Sequence, residues 1–153
     1  NDWTRPGIML YGSNPMLECH EVAQRLKPVM SLTSRIIAVR TLPAGEAVGY
    51  GARYVTQSAS RIGVVAMGYA DGYPRHARDG TPVLVNGQRT GLAGRVSMDM
   101  LAVDLTGLAG ADVGDEVELW GKNLSVDEVA RHADTISYSM LTNIKRVHKS
   151  YQG

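Results

Sequence analysis

Apolar and polar residues alternate along much of the chain, which is the mark of strands with one buried face. Val48, Tyr50, Ala52 and Tyr54 predict one such strand. Met98, Met100 and Ala102, interleaved with Asp99, Leu101 and Val103, predict another. Arg61-Ile62-Gly63-Val64-Val65-Ala66-Met67 is apolar with hardly a break, as in a strand covered on both sides. Pro82-Val83-Leu84-Val85 and Gln88-Arg89-Thr90 flank Asn86-Gly87, the dipeptide favoured by a two-residue hairpin turn. Glu116 to Trp120 forms a further strand ended by Gly121, and Met30 to Val39 precedes them all, closed by the turn Pro43-Ala44-Gly45.

Helical spacing is scarce. Ser125 followed by Glu128 is a capping-box pattern, after which Val126, Val129, Ala130 and Ala133 repeat at helical intervals. Leu141, Ile144 and Val147 suggest a second short helix after Ser137. The expectation is a strand-dominated domain, closed or nearly closed into a barrel. The first 28 residues differ: Ile8-Met9-Leu10-Tyr11-Gly12 reads as a short strand broken by Asn14-Pro15, and Glu21 to Leu26 as a helical turn or two. A domain boundary is expected near Pro28, with residues 1–28 belonging to a neighbouring domain and 29–153 forming the β domain. The start at Asn1-Asp2-Trp3, without Met, suggests a fragment.

Composition narrows the function classes. Sixteen Lys and Arg stand against 15 Asp and Glu, a net charge of +1 that provides no field to gather nucleic acid. One cysteine, Cys19, excludes an intrachain disulfide framework and fits a reducing compartment, hence a cytoplasmic location. The longest mostly apolar run, Ile62 to Ala70, is far short of the ~20 residues of a membrane-spanning helix. Cys19-His20 lacks partners at metal-ligand spacing and His76, His132 and His148 are scattered, so no metal site is expected. The glycines form neither a P-loop nor a dinucleotide fingerprint, and the seven Met residues suit core filling.

Two stretches could carry chemistry. Gly68-Tyr69-Ala70-Asp71-Gly72-Tyr73-Pro74-Arg75 follows a buried strand. It is either a catalytic loop presenting a tyrosine hydroxyl or an ordinary turn shaped by Asp-Gly, since a tyrosine of pKa near ~10 is a poor base unless its surroundings are arranged for it. Gly94-Arg95-Val96-Ser97-Met98-Asp99-Met100 places an arginine and an aspartate at a strand start. They could bind an anionic substrate or pair with each other.

Three separated segments together resemble the bacterial alanine racemases, which use pyridoxal 5'-phosphate. They are Arg5-Pro6-Gly7-Ile8 with Tyr11-Gly12; Gly68-Tyr69-Ala70-Asp71-Gly72 with Arg95 and Ser97-Met98-Asp99; and Ile136-Ser137-Tyr138. Gly45-Glu46-Ala47-Val48-Gly49-Tyr50-Gly51 matches a fourth, structural segment of the family. The resemblance covers essentially the whole chain. It implies a mainly β fold: a strand-rich C-terminal barrel domain with short helices, preceded by a remnant of the last strand of a TIM-type barrel.

The resemblance also implies roles. Arg5 would face the cofactor's pyridine nitrogen, donating a hydrogen bond but no proton, because a guanidinium stays charged in proteins. Gly7 and Ile8 would offer backbone N–H groups to the cofactor phosphate, and Tyr138 its hydroxyl. Tyr69 would be one of two bases on opposite faces of the substrate α-carbon, the other being the cofactor lysine. Met98 would hold the substrate carboxylate through its N–H, and Arg95 would line the site entrance. Tyr69 and Met98 would act on the cofactor of the partner subunit, in a homodimer with shared sites. Lys27, Lys122, Lys145 and Lys149 are the only lysines, and none sits in the family's cofactor-lysine context. The histidine and carboxylate-binding arginine of the family's barrel have no counterpart either, so the chain carries half a site. The ending Arg146-Val147-His148-Lys149 varies from the commoner Arg-Val-Pro-Arg. The expected activity is interconversion of L- and D-alanine, supplying D-alanine for peptidoglycan. The alternatives are a racemase of broader specificity, against which Asp99 speaks, and a non-enzymatic β-barrel binding module, against which the missing basic-aromatic face speaks.

Overall fold

The computed structural model describes residues 2–16, 21 and 23–151. Eight strands and two α-helices follow one another: β1 (Leu32–Leu42), β2 (Ala47–Val48), β3 (Tyr54–Val55), β4 (Ser60–Val65), β5 (Pro82–Val85), β6 (Gln88–Gly91), β7 (Leu101–Asp104), β8 (Glu116–Trp120), α1 (Val126–His132) and α2 (Ser137–Thr142). Six of the strands form one antiparallel sheet in the order β6-β5-β8-β1-β4-β7. β1 is long enough to serve two neighbours, pairing β8 with its first half and β4 with its second, and its register shifts between Ile36 and Ala38. That irregularity lets the sheet curl. Its two edges then meet: Leu92 bridges Val103, and the Ala93 N–H donates to the Ala102 carbonyl at 2.9 Å.

The curled sheet encloses the core. Ile36, Val65, Val83, Leu101, Val117 and Leu119 are buried, and Trp120 stacks on Tyr73 with ring centroids 5.9 Å apart. Tyr73 Oη and Trp120 Nε1 are buried without a hydrogen-bond partner among the described residues. The β5–β6 hairpin turns at Asn86-Gly87, both with positive φ, as its sequence required. α1 starts at Ser125, whose Oγ accepts the Asp127 N–H at 3.2 Å; Glu128, instead of closing a capping box, pairs with Arg89 on β6. The second helix is α2, but it ends at Thr142, so that Leu141 lies in it while Ile144 and Val147 lie beyond it.

Three local expectations need correction. The alternating run Val48 to Tyr54 is not one strand: the chain reverses in a 3-10 turn over Tyr50–Ala52, and β2 pairs with β3. Met98 to Met100 lies outside β7, because the Ser97 N–H donates to the Met100 carbonyl at 2.8 Å and closes a turn. Both methionines are exposed, so their alternation with Leu101 did not record a buried face. Ile8 to Leu10 is a 3-10 helix, Gly7–Tyr11, in which only Ile8 is buried. An isolated apolar triplet with no strand beside it folds back on its own carbonyls, here through the Gly12 N–H to Met9 oxygen bond of 3.0 Å. The helical turn expected within Glu21 to Leu26 is a 3-10 turn over Ala23–Arg25. Cys19 and His20 lie outside the described residues.

Candidate active site

The sequence-predicted residues fall into two groups. The first lies where the N-terminal segment meets the helices. Asp127, in the first turn of α1, accepts the Ser13 hydroxyl, the Asn14 N–H at 2.9 Å and the Ser137 hydroxyl. A carboxylate has room for several donors, and these three come from two segments far apart in sequence. The result sets the 3-10 helix of Gly7–Tyr11 beside the start of α2. Gly7 has φ of +59°, and a methyl group added to it would lie 3.6 Å from Tyr138 Oη. Gly7, Ile8 and Tyr138 are thus brought together, with Arg5 exposed two residues upstream.

The second group is built on the segment Gly94 to Met98. Gly94 is fixed by Asp79, which accepts its N–H at 2.9 Å and is itself held by Arg53. Two tyrosine-bearing turns rest on this segment. The turn of Tyr69–Asp71 follows β4, and the N–H groups of Tyr69 and Ala70 donate to the carbonyls of Ser97 (3.0 Å) and Met98 (2.9 Å). Gly68 makes the approach possible: a Cβ there would sit 2.2 Å from the Met98 oxygen. The Tyr50 turn packs at the other end, where Gly49 and Gly94 leave no room for side chains between Val48 and Arg95. The Met98 N–H makes no hydrogen bond among the described residues.

The two tyrosines differ. Tyr69 is 37% exposed, has the Arg75 guanidinium 5.7 Å from its ring centre, and borders a cleft of about 340 Å³ that Arg75, His76, Ser139, Asn143 and Lys145 also line. Tyr50 is 71% exposed on its turn, between two positive-φ glycines, and its hydroxyl makes no hydrogen bond among the described residues. Sequence reasoning passed over Tyr50 by reading Gly45 to Gly51 as structural. The available signal was the Gly-Tyr-Gly triplet, in which glycine on both sides lets one ring stand out from the chain. Arg95 is half-buried, and Asp99 pairs with Arg146 rather than with Arg95, contrary to the pairing considered from sequence. Among the described residues no three His, Cys, Asp or Glu side chains gather as a metal site, and no helix is long and apolar enough to cross a membrane.

A curled six-stranded antiparallel sheet, with Gly7 set against the Tyr138 hydroxyl and two tyrosine-bearing turns on the segment Gly94 to Met98, defines a β-barrel-like domain. The family model for the alanine racemase C-terminal domain matches residues 29–151, and the chain belongs to that family. It is 64% identical over 151 residues to an alanine racemase of Pseudomonas fluorescens, covering 99% of this chain and 42% of that protein. A catabolic alanine racemase of Pseudomonas putida is 60% identical over 153 residues, 100% of this chain and 43% of that protein. In three dimensions the chain resembles the biosynthetic alanine racemase of Pseudomonas aeruginosa, with a TM-score of 0.91 and 57% identity over 95% of this chain and 40% of that one. The chain spans about two-fifths of the length of the curated relatives it matches.

Proposed function

We propose that this chain supplies half of the active site of an alanine racemase, a cytoplasmic homodimer that interconverts L- and D-alanine and provides D-alanine for peptidoglycan. The observation that carries the reading is the meeting of Gly7 and Tyr138 within a chain so close in sequence to alanine racemases. We divide the chain at Pro28, assigning residues 1–28 to the family's cofactor-binding barrel and 29–153 to the β domain. The residues present fit the phosphate end of pyridoxal phosphate. Gly7 leaves open the space before the Tyr138 hydroxyl, and no side chain caps the 3-10 helix whose first N–H groups belong to Gly7 and Ile8. When bound, the cofactor would make the α-proton of the amino acid acidic by drawing electrons into its ring.

Around it this chain's residues have distinct tasks. Arg5 would donate a hydrogen bond to the ring nitrogen without giving up a proton, which keeps that nitrogen neutral. The free Met98 N–H would hold the substrate carboxylate, and Arg95 would border the entrance. A tyrosine Oη would take or return the α-proton on one face, opposite a lysine contributed by the rest of the enzyme. The family resemblance gives that proton to Tyr69. A second reading gives it to Tyr50, and the geometry favours the second. A base serving the cofactor of another subunit has to project from its own, and Tyr50 stands free on its turn where Tyr69 borders a cleft of its own chain.

Tyr50→Phe and Tyr69→Phe in the complete enzyme decide between them. Loss of a positioned acid–base group costs ~10²–10⁴-fold. The variant of the true base should lose racemisation in both directions to that extent, with α-proton exchange into deuterium oxide becoming unequal for the two enantiomers. The other variant should change far less. Racemisation surviving within a few-fold in both would refute a tyrosine base from this chain.

A further inference from the structure

We propose that Arg146 is a positioning residue that clasps the Tyr69 and Met98 turns into one unit and so fixes where the Met98 N–H points; this rests on the racemase reading above. Asp71, buried beneath the Tyr69 turn, accepts the Gly68 N–H at 2.9 Å through Oδ2 and faces Arg146 Nε at 3.3 Å through Oδ1. From the same guanidinium, Nη2 donates to Asp99 Oδ1 at 2.6 Å. Asp71 belongs to the tyrosine turn and Asp99 follows Met98 directly. One planar group with several donors therefore spans both turns, which a point-charge ammonium cannot do.

The chain bends to deliver this side chain. Arg146 has φ of +52°, a left-handed conformation that a residue with a side chain avoids unless its surroundings impose it. Immediately before it, the Lys145 N–H donates to the Asp71 carbonyl at 2.8 Å, and Gly72 packs so closely that a Cβ would lie 2.1 Å from the Asn143 oxygen. The segment after α2 is thus laid against the tyrosine turn and then reversed, aiming the guanidinium between the two carboxylates. The two turns already share the Tyr69–Ser97 and Ala70–Met98 backbone bonds. Those bonds fix separation, while the clasp, by anchoring Asp99, fixes the chain that follows Met98 and with it the tilt of the Ser97–Met98 peptide, which carries the Met98 N–H.

The test uses Arg146→Gln, Arg146→Lys and Asp99→Asn in the complete enzyme. Misplacement of a binding group by about 1 Å can cost ~10²-fold; a tilt of one N–H should raise KM for alanine ~10-fold in Arg146→Gln while the cofactor spectrum stays as in the wild type. Arg146→Lys, able to reach one carboxylate at a time, should recover part of that loss. Asp99→Asn, at an exposed position, should raise KM by a few-fold and keeps the test open if Arg146→Gln misfolds. Amide exchange at Tyr69 and Ala70 should quicken ~10-fold in Arg146→Gln. A KM unchanged within twofold in Arg146→Gln and Asp99→Asn, whatever the thermal stability, would overturn the proposal. Should the wild type fail to racemise alanine, the functional reading falls, and the amide-exchange result alone then upholds or refutes the clasp.

Discussion

Replacing Gly68 with Ala adds a single methyl group at a point where two backbones touch. The φ of −144° at Gly68 is extended, a conformation any residue adopts, so the cost comes from contact alone. The new Cβ would lie 2.2 Å from the Met98 oxygen, 2.4 Å from its carbon and 2.5 Å from the Asp99 nitrogen. All three are main-chain atoms, and none can rotate away. Relief requires the turns to part by roughly 1 Å, an overpacking strain of ~1–3 kcal/mol. The same movement stretches the Tyr69–Ser97 and Ala70–Met98 bonds, now 3.0 and 2.9 Å, past useful geometry, at ~1 kcal/mol each. Together these give ~3–5 kcal/mol. Gly107→Ala is the control, since Gly107 has open space around its Cα and no positive φ, and it should be neutral or slightly stabilising. Denaturant unfolding of the enzyme carrying this chain measures both. Equal midpoints for the two variants would refute the close-approach reasoning, as would an unchanged KM for alanine in Gly68→Ala.

Two further predictions concern buried polar groups. Tyr73→Phe removes a hydroxyl with no partner among the described residues and should leave stability unchanged or raise it slightly. Burial pushes the Tyr73 pKa well above its usual value. The native state therefore keeps a proton that the unfolded chain releases above pH ~10, and stability falls as pH rises past that point; thermal midpoints between pH 9 and 11.5 should fall less steeply in Tyr73→Phe. Glu118→Ala deletes the acceptor for the N–H groups of Asn123 (2.8 Å) and Leu124 (3.1 Å) and the Asn123 side-chain amide (2.8 Å). It should cost ~2–4 kcal/mol by denaturant titration, with little change in KM.

The parts of the fold that sequence revealed are those in which burial and turn chemistry agree. Asn86-Gly87 follows the apolar run Pro82 to Val85 and forms its hairpin, and Glu116 to Trp120 forms its strand against β1. Alternation misled where apolar residues face outward. Met98 and Met100 sit on a turn and Tyr50 on another, and residues exposed on turns obey no burial period. The Gly7–Tyr138 meeting could not be read from spacing, because it depends on Asp127 gathering Ser13, Asn14 and Ser137. The clasp was hidden for the same reason. Arg146, Asp71 and Asp99 are 75, 28 and 47 positions apart in pairs, and only the tertiary fold brings them together.

The Asp127 junction also bears on the order in which the molecule assembles. Its bonds to Ser13 and Asn14 close loops of 114 and 113 residues, whereas the β5–β6 hairpin needs only its two-residue turn. Loop closure of that length is entropically expensive and slow, so it follows the local pairings. Gly7 and Tyr138 therefore meet only after the barrel between them has closed. Under the proposed function, a phosphate gripping both would engage finished molecules and ignore partly folded ones, and its binding would report completed folding.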